Sequence, residues 1–140
     1  MRPETLEWME KAEGDFQTAT REAVVAEVPN FDAVCFHAQQ SAEKYLKAVL
    51  VEHCIYFPKT HDLEGLLTKV CGVASEANSL VNSAKSLTDY GTIYRYPGSS
   101  SDSGAAAEAL SDCTRIFTRP RPFTESKTLV GRLQRDFRVS

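Results

Sequence analysis

The sequence predicts an all-α protein, an up-and-down bundle of about five helices. Apolar residues recur every three or four positions over long stretches, which is the period of one helix face. No stretch sustains the two-residue alternation of a half-buried strand. Pro29, Pro58 and Pro97 fall between the periodic stretches.

The first stretch, residues 5–27, places Trp8, Met9, Ala12, Phe16, Ala19, Ala23 and Ala26 on one face, with Glu7, Glu10, Glu13 and Arg21 elsewhere. Val28-Pro29-Asn30 breaks it, because proline disfavours helix in the residue before it. A second helix over residues 31–52 turns Val34, Cys35, Ala38, Ala42, Tyr45, Leu46 and Val49 inward. So short a break predicts an antiparallel hairpin. Residues 55–59 read as a non-helical connector. Thr60 or Asp62 then caps a short third helix carrying Leu63, Leu66, Leu67 and Val70 and ended by Gly72. Ser75 is the expected cap of a fourth helix with Leu80, Ala84 and Leu87, which stops by Tyr96. Residues 97–104, small and polar, form a loop. A fifth helix over residues 105–118 buries Ala106, Ala109, Leu110, Cys113, Ile116 and Phe117.

One domain suits a chain of 140 residues, 42% apolar and 25% charged, and such a composition excludes disorder throughout. The bundle is assigned to residues 1–118 and a basic tail, frayed or disordered, to residues 119–140. The formal charge of −3 excludes a wholly basic nucleic-acid binder but hides an asymmetry. Residues 119–140 hold six Lys/Arg against Glu125 and Asp136, a net of +4, which leaves −7 for residues 1–118. Cys35, Cys54, Cys71 and Cys113 include no C-x-x-C pair and read as buried thiols of a reducing compartment. No metal or other cofactor is expected, since His53, Cys54 and Cys71 match no zinc spacing. Without an apolar signal core or membrane-length apolar run, the expectation is a soluble, cytoplasmic protein with no membrane partner.

Two patterns could carry chemistry. On the second helix His37, Gln40, Lys44 and Lys47 fall at i, i+3, i+7 and i+10 and share a polar face beside Gln39 and Glu43. A row of donors ending in two cations suits phosphate or a base edge; an ordinary solvated helix face has the same pattern. Near the end of the fourth helix, Tyr90 and Tyr94 sit one turn apart, and Arg95 and Tyr96 precede Pro97-Gly98. Guanidinium suits bidentate phosphate contact and tyrosines stack on bases. The same residues also suit a helix C-terminus and a core with wet hydroxyls. His61, between Thr60 and Asp62, either braces the connector or stands at a helix start, where free N–H groups favour anions.

The run F-H-A-Q-Q-S-A-E-K-Y-L-K-A-V-L (residues 36–50), then P-K-T-H-D-L (58–63) and T-I-Y-R-Y-P (92–97), resembles the HEPN family. W-M-E-K-A-E-G-D-F (8–16) resembles that family's first helix, so the likeness covers roughly residues 5–118. The resemblance implies a homodimer with polar residues of helices two and four around a shared cleft. It implies either a metal-independent endoribonuclease, often a toxin paired with a nucleotidyltransferase antitoxin, or a nucleotide-binding accessory of such a pair. The ribonucleases carry Arg, four to six residues, then His. From Arg95 those places hold Ser100, Ser101 and Asp102, and His37, His53 and His61 all lie upstream. Imidazole suits proton transfer near neutrality; serine and aspartate do not replace it unaided.

The expectation is therefore a HEPN protein that binds nucleotide or RNA in a dimer cleft beside a nucleotidyltransferase partner, with little or no catalysis. Arg95 would take phosphate with Lys44 and Lys47 in support, Tyr90, Tyr94 or Tyr96 would stack, and His37, Gln40 and His61 would add polar contacts. The alternatives are an endoribonuclease with a non-standard site, for which Arg95 and His37 are the catalytic candidates, and a purely structural dimerisation module.

Overall fold

The computed structural model describes residues 1–94 and 96–118, apart from the side chains of Thr92 and Thr118. Every regular element among these residues is helical, in agreement with the all-α expectation. Helix α1 spans Pro3–Ala23, with proline where a missing N–H costs nothing. Met9, Ala12, Phe16 and Ala19 are buried. The helix stops short of the expected residue 27, and Ala26 lies exposed outside it. The β-branched pair Val24-Val25 propagates a helix poorly. The chain then reverses through Val28, left-handed at φ 46° and 93% exposed. The backbone N–H of Asn30 donates to the Glu22 carboxylate (2.7 Å), closing the turn.

Helix α2, Phe31–Glu52, has the expected bounds. Asn30 Oδ1 accepts from the Ala33 N–H (3.1 Å), and that cap sets the start. The α1–α2 hairpin is antiparallel: Arg2 N–H and Thr5 Oγ1 donate to Glu52 (3.0 and 3.1 Å). Midway, Ser41 Oγ donates to the Ala12 carbonyl (2.7 Å).

Helix α3, Leu63–Cys71, follows the non-helical connector and ends at Gly72 as expected. Neither Thr60 nor Asp62 caps it through a side chain, because Thr60 Oγ1 accepts from the Asp62 N–H instead (3.1 Å). Ser75 does not cap the fourth helix either. It opens a 3₁₀ segment, Ser75–Leu80, which buries Ala77 and Leu80 and runs into α4, Val81–Ile93. Helix α5, Ser103–Thr118, starts two residues earlier than expected, where Asp102 Oδ1 accepts from the Ala105 N–H (2.8 Å). The loop before it is tied to the start of α2 by Ser101, which donates to Asp32 through N–H (2.7 Å) and Oγ (2.6 Å).

Helix α2 packs against each of the other four α-helices and forms the axis of the core. Phe117 of α5 meets Tyr45 (4.6 Å between ring centroids) and Phe16 (5.5 Å) and locks α5 over the hairpin. All four cysteines are free. Cys35 and Cys113 are buried and Cys71 is half-buried, but Cys54 is exposed, left-handed (φ 57°), and its sulfur accepts from Arg2 Nη1 (2.9 Å). Among the described residues no helix is long and apolar enough to cross a membrane, and no cluster of side chains could hold a metal ion. The basic tail, residues 119–140, and Arg95 lie outside the described residues.

Candidate functional site

Because α2 is central, most of its surface is covered. A strip stays partly open: Ala33, Phe36, His37, Gln40 and Lys44 are each half-buried. Helix α1 borders one side through Ala12 and Asp15. Helix α4 borders the other at Gly91, where a Cβ would stand 2.8 Å from Gln39 Cγ, so only glycine permits this approach.

Asp15 holds two of the expected donors. One of its oxygens lies 2.8 Å from His37 Nδ1 and the other 2.5 Å from Lys44 Nζ. A carboxylate only accepts, so the Nδ1 facing it carries a hydrogen. Among the described residues Nε2 of His37 has no partner.

Lys47 does not continue the open row. A helix advances 100° per residue, so a position ten residues beyond His37 has drifted about 80° around it. Lys47 is 6% exposed, paired with Glu43 (3.1 Å), and lies over the rings of Trp8 (5.4 Å) and Phe57 (5.9 Å). Those rings meet edge to face.

Glu43, itself 2% exposed, is the hub of a second network. His61 Nδ1 lies 2.8 Å from Glu43 Oε1, while the His61 ring is largely exposed. Gln39 Nε2 donates to the same Glu43 oxygen (3.3 Å), and Gln40 Nε2 donates to Gln39 Oε1 (2.8 Å). His61 thus braces the connector and touches the α2 network at once.

The structure therefore brings His37, Gln40, Lys44, Lys47 and His61 onto or beside one helix, each tied to a partner. Reasoning from the sequence missed Asp15. Its only signal is its place beside Phe16, on the flank of the first helix's apolar stripe.

Tyr90 and Tyr94 stack in parallel (6.0 Å, 13°). The Tyr90 hydroxyl donates to Glu108 of α5, and this bond, with a smaller contribution from burial, pushes the phenol pKa up to about 12. Tyr96 is exposed. Near Tyr90, a cavity of about 300 Å³ between α4 and α5 is lined by Asn82, Ser83, Ser86, Glu108, Asp112 and Arg115. Two carboxylates against one guanidinium make it a poor phosphate site.

A family model described as HEPN domain matches residues 5–120. The fold is similar to that in the crystal structure of TT1696 from Thermus thermophilus, with a TM-score of 0.72 and 24% sequence identity. That likeness covers 82% of this chain and 94% of the other. No curated protein matches at a significant level.

Proposed function

Because the chain belongs to the HEPN domain family, we propose that it binds a nucleotide, or a short stretch of RNA, on the polar strip of α2 and performs little or no catalysis. In this reading it works as a homodimer beside a nucleotidyltransferase-type protein, as in toxin–antitoxin pairs. The carrying observation is the strip itself. His37 and Gln40 are half-buried polar side chains held in fixed orientations by Asp15 and Gln39, with hydrogen-bonding atoms left unengaged. Arg95 contacts phosphate, Lys44 and Lys47 hold the carboxylates of Asp15 and Glu43, and Tyr90, Tyr94 and Tyr96 supply stacking surface. His61 frames the far end. Weak catalysis follows from the sequence after Arg95, which contains no histidine.

The test is titration of the intact chain with ATP and with single-stranded RNA, beside Arg95→Ala. Saturable micromolar binding is expected, weakened about tenfold or more by loss of a charge-assisted contact worth ~1.5–3 kcal/mol. No saturable binding of either ligand refutes the reading.

One observation favours a second reading, a ribonuclease with a non-standard site. A carboxylate on His37 Nδ1 with Nε2 unengaged is the arrangement of a general base. That reading requires single-stranded RNA cleavage in EDTA, leaving cyclic phosphate ends, and its loss in His37→Ala.

A further inference from the structure

The two lysines that look like phosphate ligands in the sequence are each neutralised inside the fold. Lys44 sits on Asp15 and Lys47 on Glu43. An anion approaching the strip meets Lys44 with its counter-charge in place, and Lys47 beneath two aromatic rings. Neutral hydrogen-bonding groups remain, and Gln40 is the central one.

The orientation of Gln40 follows from a relay. Glu43 only accepts, so Gln39 must turn its NH₂ toward Glu43, where the His61 carbonyl also accepts from it (3.5 Å). The carbonyl oxygen of Gln39 then faces Gln40, which must answer with its own NH₂. One N–H of Gln40 is used. Its second N–H and its Oε1 have no partner among the described residues. Gln40 is half-buried on the open strip, with Phe36 one turn before it.

An amide that offers one donor beside one acceptor complements the adenine edge, where the N6 amino group donates and N7 accepts. On the same edge guanine presents two acceptors, N7 and O6, and O6 would face the Gln40 oxygen. We propose that the open strip of α2 reads the edge of an adenine-type base through Gln40, and that Lys44 and Lys47 orient the protein's own carboxylates instead of gripping phosphate. This inference rests on the nucleotide-binding reading and narrows it: the strip takes the base, and phosphate is held elsewhere on the protein.

The test is an NMR titration of the full chain with adenosine, guanosine, inorganic tripolyphosphate and ATP, using wild type, Gln40→Glu and Asp15→Asn. Adenosine should bind at least about fivefold more tightly than guanosine, the lower end for one bidentate base contact. Tripolyphosphate should leave the Gln40 amide resonance shifted by adenosine in place. Gln40→Glu, which removes the donor, should abolish the preference. Asp15→Asn, which releases Lys44, should increase tripolyphosphate affinity at least about fivefold. Equal binding of the two nucleosides, or a preference that survives in Gln40→Glu, overturns the inference. So does displacement of adenosine by tripolyphosphate from the wild-type strip. If ATP binds while the nucleosides are not distinguished, only this inference falls. If neither ATP nor single-stranded RNA binds, the nucleotide-binding reading falls and takes the inference with it. Should Asp15→Asn fail to fold, the adenosine preference and its loss in Gln40→Glu decide the matter.

Discussion

Replacing Glu43 with alanine should be among the most damaging single changes in the bundle. Glu43 is 2% exposed and Lys47 is 6% exposed, so truncation strands an ammonium group between α1, α2 and the connector. Breaking a buried pair by removing one partner costs ~3–5 kcal/mol. The rings of Trp8 and Phe57 soften that by ~2 kcal/mol. Gln39 loses one acceptor, adding ~1 kcal/mol, while its bond to the His61 carbonyl persists. The His61 side chain is 71% exposed, so its ion pair is screened and adds little. The net loss is ~2–4 kcal/mol, a large share of the ~5–15 kcal/mol that holds a domain together. At ~3–5 °C per kcal/mol this lowers Tm by ~6–20 °C. Urea unfolding followed by circular dichroism at pH 7 measures it. The double variant Glu43→Leu/Lys47→Met removes both charges and should recover most of the loss, because a buried pair is often no better than an apolar one of similar volume. If Glu43→Ala costs under about 1 kcal/mol, or if the double variant is no more stable than the single one, the account of a desolvated pair is wrong.

Two further outcomes follow from packing and from burial. Gly91→Ala should destabilise by up to ~2 kcal/mol, since overpacking costs ~1–3 kcal/mol and alanine returns ~1 kcal/mol of helix propensity. Gly14→Ala, where nothing lies within 4 Å of the added Cβ, should stabilise by ~0.5–1 kcal/mol, and paired thermal melts compare the two. Burial raises the pKa of the Asp112 carboxyl, against the lowering effects of Ser83 and Arg115. An acid whose folded pKa is raised favours folding below its unfolded pKa, and that contribution is lost as pH rises through the folded value. Asp112→Asn should therefore stabilise the protein at pH 7, with the gain gone below about pH 4. Urea midpoints measured across that range check it, and a gain that persists in acid contradicts the burial argument.

What the sequence revealed, and what it hid, divides along the range of the interactions. Helix α2 was legible to the residue because its limits are local: the Val28-Pro29-Asn30 break before it, where the structure adds an Asn30 cap, and a steady apolar period. The end of α1 was not, because the chain must leave that helix early enough to reach the start of its neighbour, and Val28 adopts a left-handed backbone to do so. The 3₁₀ segment at Ser75–Leu80 was likewise invisible, since it carries the same apolar spacing as a first turn of α4.

The candidate site shows the same division with greater consequence. A helical projection of residues 37–47 groups His37, Gln40 and Lys44 on the open strip, but it misplaces the buried Lys47 and says nothing about counter-charges. Asp15 lies 22 residues from His37 and 29 from Lys44, and His61 lies 18 from Glu43. Four basic side chains that read as a phosphate-seeking row are thus converted into two carboxylate-centred clusters. That conversion changes the chemistry the face can do. A row of free cations would bind any polyanion, with strong dependence on salt and little on sequence. A row whose charges are internally matched keeps only directional hydrogen bonds, which distinguish bases and are less sensitive to salt. Under the proposed reading, the acidic balance of residues 1–118 is no obstacle to a nucleotide ligand, because Asp15 and Glu43 orient neutral donors and acceptors on the α2 strip and long-range attraction is not needed.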